Sequence, residues 1–295
     1  MKPKAIDLHT HTCYSDGTLS PTELVRKARE IGLSAVAVTD HDTTAGIPEA
    51  QAAGARFGVE VVAGVEISAL HPYGTLHILG YFINPENESL QKQLREYINA
   101  RNRRNPLILK RLRQFGFSLE MKEVTALAGG EVINRPHIAQ AMVEKGYVQN
   151  RQEAFDRFLG QGASAYVPKE VFTPADSIRF IHDAGGVAVL AHPDQLQAES
   201  LEKTLDEIRC LKEMGIDGVE AYHGSCHPEI SKIYADFALE LGLVVTGGSD
   251  FHGDLKHDVE LGQTRSLPFI PYKILERIKE FLAQRRSPLP HLLNL

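Results

Sequence analysis

The chain has 295 residues, a hydrophobic content of 43%, a charged content of 24% and a net charge of −6 at pH 7. These values are ordinary for a globular protein with its own core, and the acidic balance excludes binding of nucleic acid through bulk positive charge. No apolar run reaches the length of a membrane span, no leader-like segment opens the chain, and the few cysteines are too scattered for a disulfide framework, so we expect a cytoplasmic protein.

The first part of the chain alternates between apolar, strand-like segments and helices. Ser20 and Glu23 form a capping box around Pro21, which predicts a helix that ends near Gly32. An alanine-rich helix is predicted over 47–57. Strands that alternate with helices of this length indicate βαβ units and a parallel sheet. The predicted strands are Ala5–His9, Ser34–Thr39, Val59–Ile67 and Thr75–Phe82.

The alternation stops between residues 87 and 170, where the sequence predicts successive helices and no strand. These helices are Leu90–Phe115, Met121–Ala128, Pro136–Lys145 and Gln152–Leu159. The later predicted strands are Val187–Ala191, Gly218–Tyr222 and Leu243–Thr246. The later predicted helices are Pro174–Ala184, Leu201–Met214, Pro228–Leu241 and Pro271–Gln284. We therefore predict an α/β barrel from residues 1–86 and 171–295, with a helical insertion over 87–170. An open doubly wound sheet would fit the strand count as well.

Polar side chains at the strand ends favour the barrel. His9 and His11 lie two residues apart on an extended segment and therefore share a face. In α/β barrels, functional groups gather at the carboxyl ends of the strands. Carboxylates are seldom buried there unless they are paired or bind a metal. Further candidates at or just after predicted strands are His41, Glu66, His77, His192, His223, Asp250 and His252.

Histidine nitrogens and carboxylate oxygens without clustered thiolates favour divalent ions such as Mn²⁺, Zn²⁺ or Fe²⁺. The set is too large for one ion. Glu66 or another carboxylate would bridge two ions roughly 3.5–4 Å apart, which activate water and neutralise phosphoryl oxygens. A single strand-end histidine or glutamate is usually structural, so the prediction depends on their sharing one rim. The predicted metal ligands are His9, His11, Asp16, His41, Glu66, His77, His192, Asp250 and His252, of which Asp16, His41, Glu66, His192 and Asp250 are also predicted to be catalytic.

These residues resemble the polymerase and histidinol phosphatase (PHP) family of metal-dependent phosphoesterases. The resemblance covers almost the whole chain and implies a distorted seven-stranded barrel with two or three metal ions. The motifs that carry it are D-L-H-T-H at Asp7–His11, S-D-G at Ser15–Gly17, T-D-H-D at Thr39–Asp42, G-V-E at Gly64–Glu66, H-I-L-G-Y at His77–Tyr81, A-H-P at Ala191–Pro193 and S-D-F-H at Ser249–His252. None of the ligand positions departs from the family pattern, which argues against an inactive copy.

The family pattern implies a division of the ligands among the ions. The first ion would be held by His9, His11, Glu66 and Asp250. The second would be held by Glu66, His77 and His192. The third would be held by Asp16, His41 and His252.

The helical insertion resembles that of a bacterial subgroup. The motifs are N-R-P-H-I-A at Asn134–Ala139 and Y-V-P-K at Tyr166–Lys169. The subgroup includes a 3′,5′-nucleotide bisphosphate phosphatase and an enzyme that trims short RNA from its 5′ end. The resemblance implies that this chain removes a phosphate from 3′-phosphoadenosine 5′-phosphate and similar nucleotides, with Mn²⁺ favoured. The insertion would cap the substrate, a small nucleotide bisphosphate or short RNA, and neither a membrane nor a protein partner is implied.

A substrate with a second phosphate needs an anion site away from the metals. Arg135 is the best candidate, because a guanidinium forms bidentate pairs with phosphate. The alternative is an ordinary arginine at a helix start on a solvated face. The other predicted substrate-binding residues are Asn134, His137, Lys169 and His223.

Three other functions fit parts of the pattern. A histidinol phosphate phosphatase would share the chemistry, but the Asn-Arg-Pro-His segment argues against it. A polymerase-associated module retained for structure or proofreading would belong to a longer polymerase chain. An amidohydrolase would need a metal-bridging lysine at a strand end, and the predicted strands offer none.

Arg101, Arg103 and Arg104 either guide a polynucleotide or lie on a solvated helix face.

Overall fold

The computed structural model describes residues 4–71, 76–169, 172–196, 198–255 and 258–286. Its strands are β1 (Ala5–Asp7), β2 (Leu33–Val38), β3 (Glu60–Ala69), β4 (Leu76–Tyr81), β5 (Val187–Leu190), β6 (Gly218–His223), β7 (Val244–Gly248) and β8 (Ile270–Pro271). Its α-helices are α1 (Pro21–Ile31), α2 (Ile47–Phe57), α3 (Glu88–Gln114), α4 (Met121–Thr125), α5 (Arg135–Glu144), α6 (Arg151–Ala154), α7 (Pro174–Asp183), α8 (Leu201–Glu213), α9 (Pro228–Glu240) and α10 (Lys273–Arg286).

The strands form one sheet in the order β7-β6-β5-β4-β3-β2-β1-β8. The sheet curls until β7 lies beside the end of β1, where the Leu8 amide donates to the Gly247 carbonyl over 3.3 Å. Residue 248 must be glycine at this junction, because a Cβ there would lie 2.2 Å from the Cβ of His9. The result is a nearly closed eight-stranded barrel, which confirms the predicted α/β barrel.

Two details of the predicted sheet are wrong. β4 is antiparallel to both β3 and β5, because the link from Ala69 to Leu76 is too short for the crossover helix that parallel strands require. The predicted start of β4 at Thr75 lies outside the described residues. The barrel has an eighth strand, β8, where the sequence predicted the start of the last helix. β8 has only two residues, which are too few to show a periodic pattern in the sequence. Its proline, Pro271, is tolerated because β8 is an edge strand.

The helical region between β4 and α7 has a hydrophobic core of its own. Ile108 and Leu112 of α3 pack with Ile138 and Met142 of α5 in this core. The last predicted helix of the region is divided, since α6 is followed by a π-helical turn over Phe155–Leu159. The predicted domain boundary between residues 170 and 171 lies outside the described residues. Among helices in the described ranges, none combines the length and apolar character that crossing a membrane requires.

The helical region lies against the rim of the barrel that follows the strands. Gly129 packs so closely on Cys13, after β1, that a Cβ at position 129 would lie 2.6 Å from the Cβ of Cys13. The Arg151 guanidinium donates to the carbonyl of Leu255, which follows β7. The helical region therefore contacts the loops on both sides of the junction between β1 and β7.

Candidate metal centre

Glu66 occupies the middle of the rim and is fully buried. Its Oε1 atom lies 2.8 Å from His77 Nδ1 and 3.0 Å from His192 Nε2. Its Oε2 atom lies 2.9 Å from His41 Nδ1 and 3.2 Å from His11 Nε2. Each oxygen thus faces its own group of imidazoles, which is the arrangement of a carboxylate that bridges two ions.

The predicted ligands of the first ion converge on one point. Glu66 Oε2 lies 3.4 Å from His9 Nε2 and 3.2 Å from His11 Nε2. Asp250 Oδ1 lies 3.5 Å from His9 Nε2 and 3.3 Å from His11 Nε2. Four donors at the corners of a tetrahedron with metal bonds of about 2.1 Å are separated by about 3.4 Å. The spacing therefore fits one divalent ion between these side chains.

A further group of donors lies beside the first. His11, Asp16, His41 and His252 each bring one donor atom within 4.8 Å of the others. Asp16 lies 3.9 Å from His41 Nε2 and 3.6 Å from His252 Nε2. The sequence assigned His11 to the first ion alone. In the structure, His11 Nε2 faces Glu66 while its Nδ1 faces Asp16, so this ring borders both groups.

The donor atoms themselves supply a test of whether cations fit. An unpaired polar atom in a buried position costs roughly 1–3 kcal/mol. Several such atoms face the same small space, so bound divalent ions would satisfy all of them together. Within the described part of the chain, the buried atoms of this rim without a hydrogen-bond partner include His9 Nε2, His11 Nε2, Asp16 Oδ1, His41 Nδ1, Glu66 Oε2 and His223 Nε2.

The electrostatics of the rim also favour positive charge. Burial opposes protonation of His9, yet Glu220 and Glu66 raise the pKa of its imidazole above the usual range. The pKa of His11 rises to about 9, because Asp250 and Glu66 outweigh its burial. Burial likewise opposes ionisation of Glu66, but the facing histidines hold its pKa well below the ordinary value. Protons and divalent cations compete for such a site.

Glu220 is a residue of the site that the sequence did not single out. It lies on β6 and is fully buried. Its Oε1 atom lies 3.0 Å from His9 Nδ1, within hydrogen-bonding distance. Its Oε2 accepts the backbone N–H of His192 over 2.9 Å. A carboxylate behind a metal-binding imidazole sets the orientation of the ring and raises its basicity. The available signal was a glutamate inside the apolar run Gly218–Tyr222, a position that burial makes costly without a partner.

Two buried aspartates hold the loops that carry the ligands. Asp7 accepts the backbone N–H groups of His9 and Ser249. Asp40 accepts hydrogen bonds from the backbone and hydroxyl of Thr12 and from the Ser15 hydroxyl. These bonds fix the segments on either side of His11 and just before Asp250. The sequence placed both aspartates inside family motifs without giving them a role.

Backbone strain is concentrated in the same rim. Among the described residues, the non-glycine residues with positive φ are Asp42 (54°), Phe82 (57°), His192 (28°) and Asp250 (59°). Three of them belong to the rim. Strained backbone of this kind persists where surrounding contacts over-determine it, and it is common at functional sites.

The predicted substrate-binding residues fall into three places. Asn134, Arg135 and His137 lie together at the start of α5, where the backbone N–H of Asn134 donates to His137 Nδ1 over 3.0 Å. His223 lies instead among the predicted metal ligands at the rim of the barrel, which we call the metal rim. Its Nε2 atom lies 3.5 Å from Asp250 Oδ2. Lys169 forms a buried ion pair with Asp42 over 2.8 Å.

Buried and partly buried cations cluster between the helical region and the rim, and we call this cluster the basic pocket. Arg104 is only 5% exposed, so it does not lie on a solvated helix face, and its side chain donates to Asn105 Oδ1. Burial, together with Arg101 and Arg135, lowers the pKa of Arg104 to about 9, which leaves it charged at neutral pH. Within the described ranges, neither Arg104 nor Arg135 has a carboxylate partner. The basic pocket consists of Arg101, Arg104, Arg135 and Lys169, with Asp42 as the buried carboxylate among them.

The basic pocket borders the metal rim. His137, next to Arg135 on α5, is close enough to Asp16 that this carboxylate opposes the effect of burial on the pKa of His137. Asp42 directly follows His41 in the chain. The basic pocket and the metal rim are therefore neighbouring groups of side chains.

Comparison with known proteins identifies the family of the chain. The family model described as the PHP domain matches residues 7–161. A 5′-3′ exoribonuclease of Haemophilus influenzae is 37% identical over 251 residues, which cover 84% of this chain and 90% of that protein. A 3′,5′-nucleoside bisphosphate phosphatase of Chromobacterium violaceum is 34% identical over 273 residues, 89% of this chain and 92% of that protein.

A solved structure shares the whole fold. It is a protein of Bifidobacterium adolescentis described as a candidate metal-dependent phosphoesterase, with a TM-score of 0.83 and 33% sequence identity. The match covers 94% of this chain and 96% of the other. The chain therefore belongs to the PHP domain family and is a metal-dependent phosphoesterase.

Proposed function

We propose that this protein hydrolyses one phosphate monoester of 3′,5′-bisphosphonucleotides, such as 3′-phosphoadenosine 5′-phosphate. The observation that carries the proposal is a pair of arginines beside the metal rim, the buried Arg104 and the partly buried Arg135, neither of which has a carboxylate partner among the described residues. A buried cation without a carboxylate partner is costly, so this pair is best explained by an anionic ligand. A substrate that bears a second phosphate supplies that anion.

The rim would bind the phosphate that is removed. Divalent ions, of which Mn²⁺ is our proposal, would activate water and neutralise charge on the phosphoryl oxygens. Glu66 would hold two of the ions, and Glu220 would keep His9 oriented toward one of them. The most exposed of the facing imidazoles are His41 and His77, whose side chains are 14% and 15% exposed. We infer that the substrate approaches the rim over these two rings.

The start of α5 would bind the second phosphate. Arg135 donates to the Leu159 carbonyl over 2.9 Å and keeps its other donors for a ligand. Because His137 Nδ1 accepts from the backbone N–H of Asn134, the neutral ring carries its proton on Nε2 and offers a donor. The Asn134 side chain is 2% exposed, and within the described residues both its Nδ2 and Oδ1 atoms lack hydrogen-bond partners. Arg135, His137 Nε2 and Asn134 Nδ2 can donate to phosphate or sugar oxygens, and Asn134 Oδ1 can accept from a sugar hydroxyl.

The same pocket suits the 5′ end of a short RNA. We propose that residues 87–170 act as a cap on the barrel of residues 1–86 and 171–295, so that a chain end reaches the rim and an internal segment does not. The names of the exoribonuclease and bisphosphate phosphatase relatives support this pair of activities. Histidinol phosphate is a poorer candidate, because its ammonium group would meet the buried cations of the basic pocket.

The proposal is tested by comparing substrates on the metal-reconstituted enzyme. We expect turnover of 3′-phosphoadenosine 5′-phosphate and of short 5′-phosphorylated RNA. Turnover of histidinol phosphate alone would reject the substrate while leaving the metal site intact.

The role of Arg135 is tested by Arg135→Ala. Loss of a charge-assisted hydrogen bond worth about 1.5–3 kcal/mol corresponds to roughly a 10- to 100-fold rise in KM for the bisphosphate. An aryl phosphate, which has no second phosphate, should show little change. Arg179→Ala, on the exposed face of α7, is the matched control. Equal effects of Arg135→Ala on both substrates would remove the proposed anion site.

A further inference from the structure

Asp42 is a buried carboxylate of the barrel that forms ion pairs with two cations of the helical region. It follows His41, is fully buried and has a left-handed backbone with φ of 54°. Its Oδ1 atom accepts the backbone N–H of Ser68 on β3 over 3.0 Å, which holds the carboxylate to the barrel. Its Oδ2 atom accepts from the Lys169 ammonium over 2.8 Å and from the Arg101 guanidinium.

The two cations on Asp42 come from separate parts of the helical region. Arg101 lies in the middle of α3. Lys169 lies after Leu159, in the segment that leads back to the barrel, which we call the returning segment. The Tyr97 hydroxyl, one turn before Arg101, donates to the Ser68 carbonyl over 2.8 Å. Lys169 Nζ lies 5.0 Å from the centre of the Tyr97 ring. These contacts join α3, the returning segment and β3 at a single buried point, which we call the Asp42 latch.

The Asp42 latch also determines which cations are available to a ligand. Arg101 and Arg104 lie three residues apart, so they share one side of α3. Arg101 is bound by Asp42, whereas Arg104 has no carboxylate partner among the described residues. Asp42 therefore separates the four cations of the basic pocket into a bound pair, Arg101 and Lys169, and an open pair, Arg104 and Arg135.

We propose that Asp42 is a positioning residue that sets the distance between the metal rim and the open pair of arginines. Its ion pairs with Arg101 and Lys169 fix the position of α3 relative to the metal rim. Because Arg104 lies on the same helix, the position of Arg104 is fixed as well. The position of the second phosphate relative to the first would thus depend on a carboxylate that touches neither. This inference rests on the proposed function and adds a residue that determines its specificity.

A competing explanation makes the opposite prediction. If Arg101 and Lys169 themselves bound the second phosphate, Asp42 would compete with the substrate for them. Removing its charge would then free two cations and lower KM for the bisphosphate. If Asp42 positions the open pair, removing its charge lets α3 move and raises that KM. The sign of the change therefore separates the two explanations.

The experiment is Asp42→Asn, which keeps the size of the side chain and its ability to accept from Ser68. We expect kcat/KM for 3′-phosphoadenosine 5′-phosphate, divided by kcat/KM for an aryl phosphate, to fall by about tenfold or more, mainly through KM. Metal content, measured by mass spectrometry, shows whether the neighbouring His41 is disturbed. Asp176→Asn, which removes an exposed carboxylate of α7, is the matched control.

A double variant keeps the charge balance of the basic pocket. Asp42→Asn combined with Lys169→Met removes one negative and one positive charge, and it serves also if the single variant does not fold. We expect its KM for the bisphosphate to remain raised, because the Asp42 latch is still lost. A lowered or unchanged KM in either variant would overturn the positioning role. Absence of bisphosphate turnover by the unmodified enzyme would instead reject the proposed function.

Discussion

The metal rim and the basic pocket are neighbouring sites built in different ways. The rim takes side chains from the ends of strands around the barrel, and close sequence neighbours such as His9 and His11 already face the same point. The basic pocket takes Arg104 from α3, Arg135 from α5 and Lys169 from the returning segment, and these residues meet only when the helices pack. The comparison teaches that much of the rim can be recognised from local motifs, whereas the basic pocket depends on the packing of the helical region, and under the proposed function so would the choice of substrate. Three substitutions separate the two sites.

Glu66→Gln is expected to have the largest effect. It removes the negative charge between His41 and His77 while keeping the shape of the side chain. A loss of about 4 kcal/mol of transition-state stabilisation by the metal ions corresponds to roughly a 10³-fold fall in kcat/KM. Bisphosphate and aryl phosphate should be affected alike. Steady-state kinetics and metal analysis measure the two consequences.

Glu60→Gln is the control for that substitution, because Glu60 begins the same strand and contacts Tyr272 and Lys279 away from the rim. Its metal content and kinetics should match those of the unmodified enzyme. A Glu66→Gln enzyme with full metal content and full activity would contradict the predicted bridging carboxylate.

Glu220→Gln should have an intermediate effect on the same site. The substitution weakens the contact to His9 Nδ1. The His9 ring, which belongs to the first group of donors, is then held less firmly. Substitutions behind a metal ligand typically reduce metal affinity or activity by about 10- to 100-fold. Titration with a buffered divalent metal measures the affinity, and Glu240→Gln on the exposed end of α9 is the control. An unchanged affinity would mean that Glu220 serves packing alone.

Arg104→Lys should have the smallest effect and should act on the other site. Lysine keeps the charge but loses the planar pair of donors that matches a phosphate. The loss of one charge-assisted hydrogen bond, about 1.5 kcal/mol, corresponds to roughly a tenfold rise in KM for the bisphosphate. Arg113→Lys, exposed on the same helix, is the control. An equal change for aryl phosphate would place Arg104 outside the second-phosphate site.

Several features were predictable because they depend on near neighbours in the chain. The Ser20 capping box and the left-handed Gly32 after α1 are present as predicted. The strand-end motifs identified the family, and the predicted ligands do cluster, although their individual roles remain predictions. The antiparallel orientation of β4 was missed even though the short link after β3 leaves no room for a crossover helix. The short β8 was missed because its partner, β1, lies far away in the chain. Glu220 was missed because one glutamate in an apolar strand has no local signal for its partner.

The sequence by itself determined the alternation of strands and helices, the positions of histidines and carboxylates at strand ends, and hence the phosphoesterase chemistry. Periodicity and short motifs involve residues only a few positions apart, so they can be recognised in the sequence alone. Only the tertiary structure decided which cations are paired with a carboxylate. Arg101 and Arg104 look alike in sequence, but Asp42 binds the first and leaves the second open, because burial and charge pairing arise only when distant segments meet.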